Sequence, residues 1–208
     1  MMPIAENTGN ETSGSQILHP GSRKLFCHWE ALRAERPCPT REEFSLSDVR
    51  ELVPDLVVLE RDHIRKSFRF RLAGSNVCDL FKTNLTGQDM LSGWDSFEAD
   101  LINKHLLQSV SNFQPTLFRT RLSTDTRQQV AAEFIGLPIR MRGSERLQVI
   151  GGYFSFRPAH GIGHTAITGR ELLAIRSVWT EYQTIMAGRP VVATPERRFT
   201  VIAGGLAG

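Results

Sequence analysis

Apolar positions along the chain change period from segment to segment, and each change marks an element. Leu25, Trp29 and Leu32 recur at three- and four-residue spacing. That stripe predicts a helix over 22–35, capped by Ser22 and ended by Pro37 and Pro39. The segment from Phe44 to Pro54 predicts a short helix through Val53, capped by Ser45 or Ser47. The period then falls to two. Residues 56–60 form a β-branched apolar run, and 66–75 alternate, with Phe68, Phe70 and Leu72 on one face and Arg69 and Arg71 on the other. With Arg61-Asp62-His63 as the turn, this reads as a β-hairpin. A short helix follows over 76–81, then a loop from Leu85 to Met90. A longer helix covers 95–111, with Phe97, Leu101, Ile102, Leu106 and Val110 as its buried stripe. Asp95 and Glu98 suit the positive end of its dipole. Three strands close the pattern, over 116–123, 129–139 and 147–156. The last two are longer and more apolar, as central strands are. Pro138 marks a strand end or an edge.

The ends of the chain read differently. Residues 1–21 are rich in Gly, Ser, Thr, Asn and Glu and bury too little to order themselves, so a disordered tail is expected. Toward the C-terminus, Thr168 and Glu171 have capping-box spacing. Leu172, Ile175, Trp179, Tyr182 and Met186 then follow a helical period to Gly188 and Pro190. A C-terminal helix is expected there, with a strand through 173–180 as its competitor. Phe199 to Ala203 is a strand-like patch. The resulting division is a tail (1–21), a flanking helix (22–43), an α+β domain (44–158) and a C-terminal extension with a helix (159–208).

Composition narrows the function classes. The 208 residues are 40% hydrophobic and 23% charged, with 25 basic and 22 acidic side chains well mixed and a net charge of +3. Nucleic-acid binding needs a concentrated basic face, which this balance does not provide. Cys27, Cys38 and Cys78 are sparse and without CxxC spacing, which argues against a disulfide framework and against structural zinc. No apolar run approaches the ~20 residues of a membrane span, and the N-terminus lacks the basic start and apolar core of a signal peptide. A cytoplasmic protein is expected, with neither nucleic acid nor membrane as partner.

Two strands, short helices, one long helix and three strands succeed one another. Several fragments in that order carry a family resemblance: Trp29-Glu-Ala-Leu-Arg33, Pro39-Thr-Arg41, Leu52-Val-Pro54 leading into Val57-Val-Leu-Glu60, Phe70-Arg-Leu-Ala-Gly74 and Leu85-Thr-Gly87. Together, over residues 24 to 156, they resemble the stand-alone PAS-domain family of alphaproteobacteria. The resemblance implies a PAS-like five-stranded antiparallel sheet with helices on one face. It also implies signal transduction through protein contacts, or sensing, without an attached kinase or cyclase.

Two sites follow. A ligand pocket between sheet and helices would be lined by Phe70, Leu72, Phe97, Leu101, His105, Phe134 and Tyr153. An interaction helix would present Leu25, Trp29 and Leu32 to a signalling protein or a second copy, as in a homodimer. His105 stands where haem-binding relatives carry an iron ligand, but nothing else marks a haem pocket; no cofactor is expected, and a bound haem or other small ligand is disfavoured. Cys78 faintly resembles a flavin-adduct cysteine, is displaced by one position, and reads as a structural thiol. Arg69, Arg71, Arg119 and Arg121 alternate along strands, as an anion stripe or a solvated face. His160 and His164 flank Gly161 and Gly163 in a loop, and no third metal ligand stands near. Gly151-Gly152 permits a bulge or close helix packing. No nucleophile elbow, Walker loop, dinucleotide fingerprint or HExxH occurs, and nothing sets Glu133 beside His105 or His63, so an enzyme is not expected.

Overall fold

Asp62 turns the chain back on itself, its Oδ1 accepting the N–H groups of Ile64 (3.0 Å) and Arg65 (3.1 Å). In the computed structural model, which describes residues 17–141, 147–157, 167–178 and 180, this turn joins β1 (Leu56–Asp62) to β2 (Ser67–Ala73). The hairpin is as expected, but the alternation along β2 is not preserved. The register slips where Val58 faces Leu72 and Leu59 faces Phe70, so Arg71 is bulged out. The slip turns Leu72 to solvent, 43% exposed, while Phe68 and Phe70 stay buried.

Gly74 then feeds α2 (Ser75–Phe81). A Cβ at Gly74 would lie 2.2 Å from the Pro54 carbonyl oxygen, so glycine permits this approach. Further on, Asp95 caps α3 (Ser96–Asn112) by accepting the Phe97 N–H at 2.9 Å. Residues 45–53 do not make the expected serine-capped helix. They end in a 3-10 turn (Arg50–Asp55) whose N-cap, Val49, offers no side-chain bond.

Strands β3 (Thr116–Thr124), β4 (Gln129–Arg140) and β5 (Leu147–Ser155) form the expected meander. β5 pairs antiparallel with β1 and closes one sheet with the hairpin. Pro138 lies within β4, a central strand. Pairing of β3 with β4 stops at Thr116 and Gly136, so Pro138 sits past the end of its neighbour.

The C-terminal helix expected from Thr168 onward is a strand, β6 (Ile167–Ser177), paired antiparallel with β3. The sheet therefore has six strands, in the order β2-β1-β5-β4-β3-β6. The helical spacing of Leu172 and Ile175 loses to the open edge of β3, whose backbone groups gain partners only from another strand. Trp179, Tyr182, Met186 and the patch 199–203 lie outside the described residues.

The N-terminal boundary also differs from the expectation. Ile17 is fully buried, and the N–H groups of Leu18 and His19 bond the Glu133 carboxylate at 3.1 and 2.9 Å. Residues 17–21 are thus packed structure, and the rest of the expected tail, 1–16, lies outside the described residues. Pro20 at the first turn starts α1 (Pro20–Arg33), which ends at Ala34, ahead of the two prolines.

Two apolar layers result. One joins the sheet to α2 and α3, through Phe68, Phe70, Phe118, Phe134, Ile102 and Leu106 among others. The other lies on the reverse face, where α1 packs Leu25, Phe26 and Trp29 over Ile135, Leu137 and Ile150. Helices therefore cover both faces of the sheet, α1 and the 3-10 turn lying on the second.

Candidate functional site: the filled interior and the covered reverse face

The space between sheet and helices is filled with rings. Phe118 stacks on Phe134 at 4.4 Å between centroids, and Trp94 meets Phe118 edge-on at 6.2 Å. Phe81 meets Tyr153 edge-on at 5.3 Å. The Tyr153 hydroxyl bonds Thr120 Oγ1 at 2.9 Å, and burial pushes its pKa up to about 12. The cavity left among these rings measures about 10 Å³ and is lined by Phe70, Phe81, Met90, Trp94, Tyr153 and Arg170 among others. That is at the lower limit for a single water.

The expected pocket residues divide. Phe70, Phe134 and Tyr153 are buried together in this layer. Leu72 leaves it through the β2 bulge. Phe97, at the start of α3, is 75% exposed, because the buried stripe of that helix runs through Ile102, Leu106, Ser109 and Val110 instead. Leu101 and His105 are half-buried along α3, and burial lowers the His105 pKa. Glu133, on β4, points to the opposite face from α3. It is fully buried, and its oxygens accept from Leu18 N, His19 N and Arg119 Nε (3.1 Å).

Leu25 and Trp29 of the expected interaction helix are fully buried, and Leu32 is partly buried against the same layer. The Trp29 indole N–H donates to the Pro138 carbonyl at 2.8 Å. The stripe therefore packs on this chain's own sheet and is not presented to solvent. His19 holds the start of the helix. Its Nδ1 accepts the Gly21 N–H at 3.0 Å and its ring stacks on Phe154 at 5.0 Å.

The four arginines do not form one stripe. Arg69 and Arg71 lie near Glu60 (3.9 and 3.6 Å) toward one side of the sheet, while Arg119 pairs with Glu133 and Arg121 with Glu171 (2.7 Å) toward the other. Cys78 is half-buried, with Sγ 3.8 Å from the Ala73 carbonyl. Gly151 and Gly152 sit in unbroken register rather than in a bulge. His160 and His164 lie outside the described residues. Among the described residues, no three His, Cys, Asp or Glu side chains are grouped to hold a metal. A solvent-open groove of about 1330 Å³ between α2 and the end of β5 is lined by Asp79, Lys82, Thr83 and Asn84, and also by Tyr153 of the interior.

The residue that sequence reasoning missed is Arg170. Its guanidinium carbon lies 4.8 Å above the Phe81 ring, and Nη1 bonds the Ser92 carbonyl. No local signal marks it, because its place depends on β6 lying beside β3.

An antiparallel sheet with an aromatic layer under α2 and α3 defines an α+β domain. A family model described as PAS domain matches residues 17–154, more than half of the chain. The chain belongs to the PAS domain family, and its role is of the signalling and regulatory kind. No curated protein matches it. The match takes in α1 and stops before β6. No helix among the described residues is long and apolar enough to cross a membrane.

Proposed function

We propose that this PAS protein is a non-catalytic regulatory module that works through protein contacts, with a signalling protein or a second copy of itself. The observation that carries this reading is the filled interior: the space lined by Phe70, Phe81, Trp94 and Tyr153 measures about 10 Å³, about that of a single water. With the Trp29 stripe turned inward, the apolar surface on offer is elsewhere. Phe97 is 75% and Ile64 94% exposed. The bond from Asn103 Nδ2 to the Lys66 carbonyl (3.0 Å) holds α3 against the hairpin turn that carries Ile64. In this reading the protein works in the cytoplasm, which its three free cysteines suit.

Native mass spectrometry and light scattering on the full chain test the proposal. The expected result is a chain without a retained small molecule that self-associates or captures a signalling partner, with Phe97→Asp weakening the association at least tenfold. A strict monomer whose partner contacts ignore Phe97→Asp would sink the reading. A retained compound would favour the second reading, a small-molecule sensor, for which the aromatic walls around the interior speak.

A further inference from the structure

Ile64 and Phe97 are the two most exposed large apolar side chains among the described residues, and they stand in surroundings of opposite charge. Residues 60–71, the hairpin that carries Ile64 at its turn, hold five basic and two acidic side chains. Both acids are engaged. Glu60 lies near Arg69 and Arg71, and Asp62 Oδ1 accepts the N–H groups of Ile64 and Arg65. His63, Arg65 and Lys66 are exposed around Ile64, and among the described residues neither Arg65 nor Lys66 enters an ion pair. Residues 95–100, around Phe97, hold three acidic side chains and no basic one. Asp95 caps α3, Glu98 accepts the Leu172 N–H of β6 at 2.8 Å, and Asp100 is exposed.

The two halves adjoin. Phe97, Asp100 and Asn103 follow at three-residue spacing and form one row along α3. Asn103 Nδ2 donates to the Lys66 carbonyl at 3.0 Å, which sets the basic turn at the far end of that row, about 9 Å along the axis from Phe97. Lys104, next to Asn103, is exposed and belongs to the basic half. Both apolar centres face solvent, so they do not meet within the chain. A two-fold axis across the row brings them together between chains. Ile64 of each copy then lies on Phe97 of the other, and Arg65 meets Asp100 in both contacts.

We propose that this patch is a self-complementary interface through which two copies of the chain pair, each placing its basic hairpin turn on the acidic start of the other's α3. The inference rests on the protein-contact reading and deepens it: the partner is a second copy, and the exchange of acid and base orients it.

Sedimentation and light scattering of the full chain test the pairing, with wild type, R65E and D100R run alone and the two variants mixed in equal amounts. Both side chains are exposed, so both variants are expected to fold. The wild type is expected to dimerise, less so as salt is raised. R65E opposes two carboxylates and D100R two guanidinium groups, so each variant alone is expected to dimerise at least about tenfold more weakly. In the mixture both contacts again join opposite charges, and the affinity is expected to return to within about threefold of the wild type. A dimer that ignores both substitutions, or a mixture no tighter than the variants alone, overturns the exchange. So does a wild type that is monomeric at every concentration; if its Phe97-dependent contacts are with another protein, the patch belongs to that protein. The protein-contact reading outlives each of these failures wherever Phe97→Asp weakens capture of a signalling partner.

Discussion

His19 shows how one side chain ties the start of the chain to the sheet. Its Nδ1 caps α1 by accepting the Gly21 N–H, which only the unprotonated nitrogen can do. Burial lowers its pKa from the ordinary 6.5, while Glu133 on β4, Asp55 in the 3-10 turn and the Ser155 backbone pull it back upward. The fold therefore holds the neutral imidazole. Its contribution is complete above pH 6.5 and is lost as pH falls through the lower folded value. Protection factors of the Leu18, His19 and Gly21 amides, corrected for the intrinsic slowing of exchange in acid, are expected to fall on acidification below pH 6.5, and in His19→Asn, which retains an acceptor, to lose most of that dependence. Protection that falls equally in both proteins would show that His19 is not the group responsible.

At the scale of elements, α1 and β6 are the two pieces whose roles differ from their local patterns. The α1 stripe is a helix stripe and forms a helix, but its partner is this chain's own β4 and β5. Trp29→Ala removes a fully buried indole and its bond to the Pro138 carbonyl. It is expected to destabilise the protein by about 3–5 kcal/mol, read as a lower urea midpoint. A change of a few tenths would mean that α1 is only loosely docked. β6 makes the converse case. Its spacing suits a helix, and it becomes a strand because β3 offers a long unpaired edge. Its contacts to the helical layer then run through Arg170 and Glu98.

For the whole molecule, coverage on both faces sets the order of local stability. β4 and β5 each have two neighbouring strands and apolar layers on both sides. β2, at one edge, has its outer backbone groups bonded by the loop 87–90 through Phe70 N to Gln88 O (2.9 Å) and Met90 N to Phe68 O (2.8 Å). β6, at the other edge, is half-exposed along its length. Hydrogen exchange followed by mass spectrometry is expected to protect β4 and β5 most, β2 next and β6 least. Protection of β6 equal to that of β4 would contradict this order.

The sequence alone placed most of the elements and their order. The alternation at 66–75, the apolar strand runs at 56–60, 129–139 and 147–156, the strand signal at 116–123 and the helical stripes around Trp29 and Leu106 did so, because side-chain direction follows backbone period within one segment; the helical spacing of Leu172 and Ile175 was overridden. What the tertiary structure decided was which partner each face meets. The β2 bulge sends Leu72 outward, the rotation of α3 leaves Phe97 in solvent, and α1 folds onto the reverse face. The edge of β3 recruits β6, and only then does Arg170 reach the aromatic interior. Each of these depends on residues far apart in the chain meeting across a sheet, and no local period carries that information.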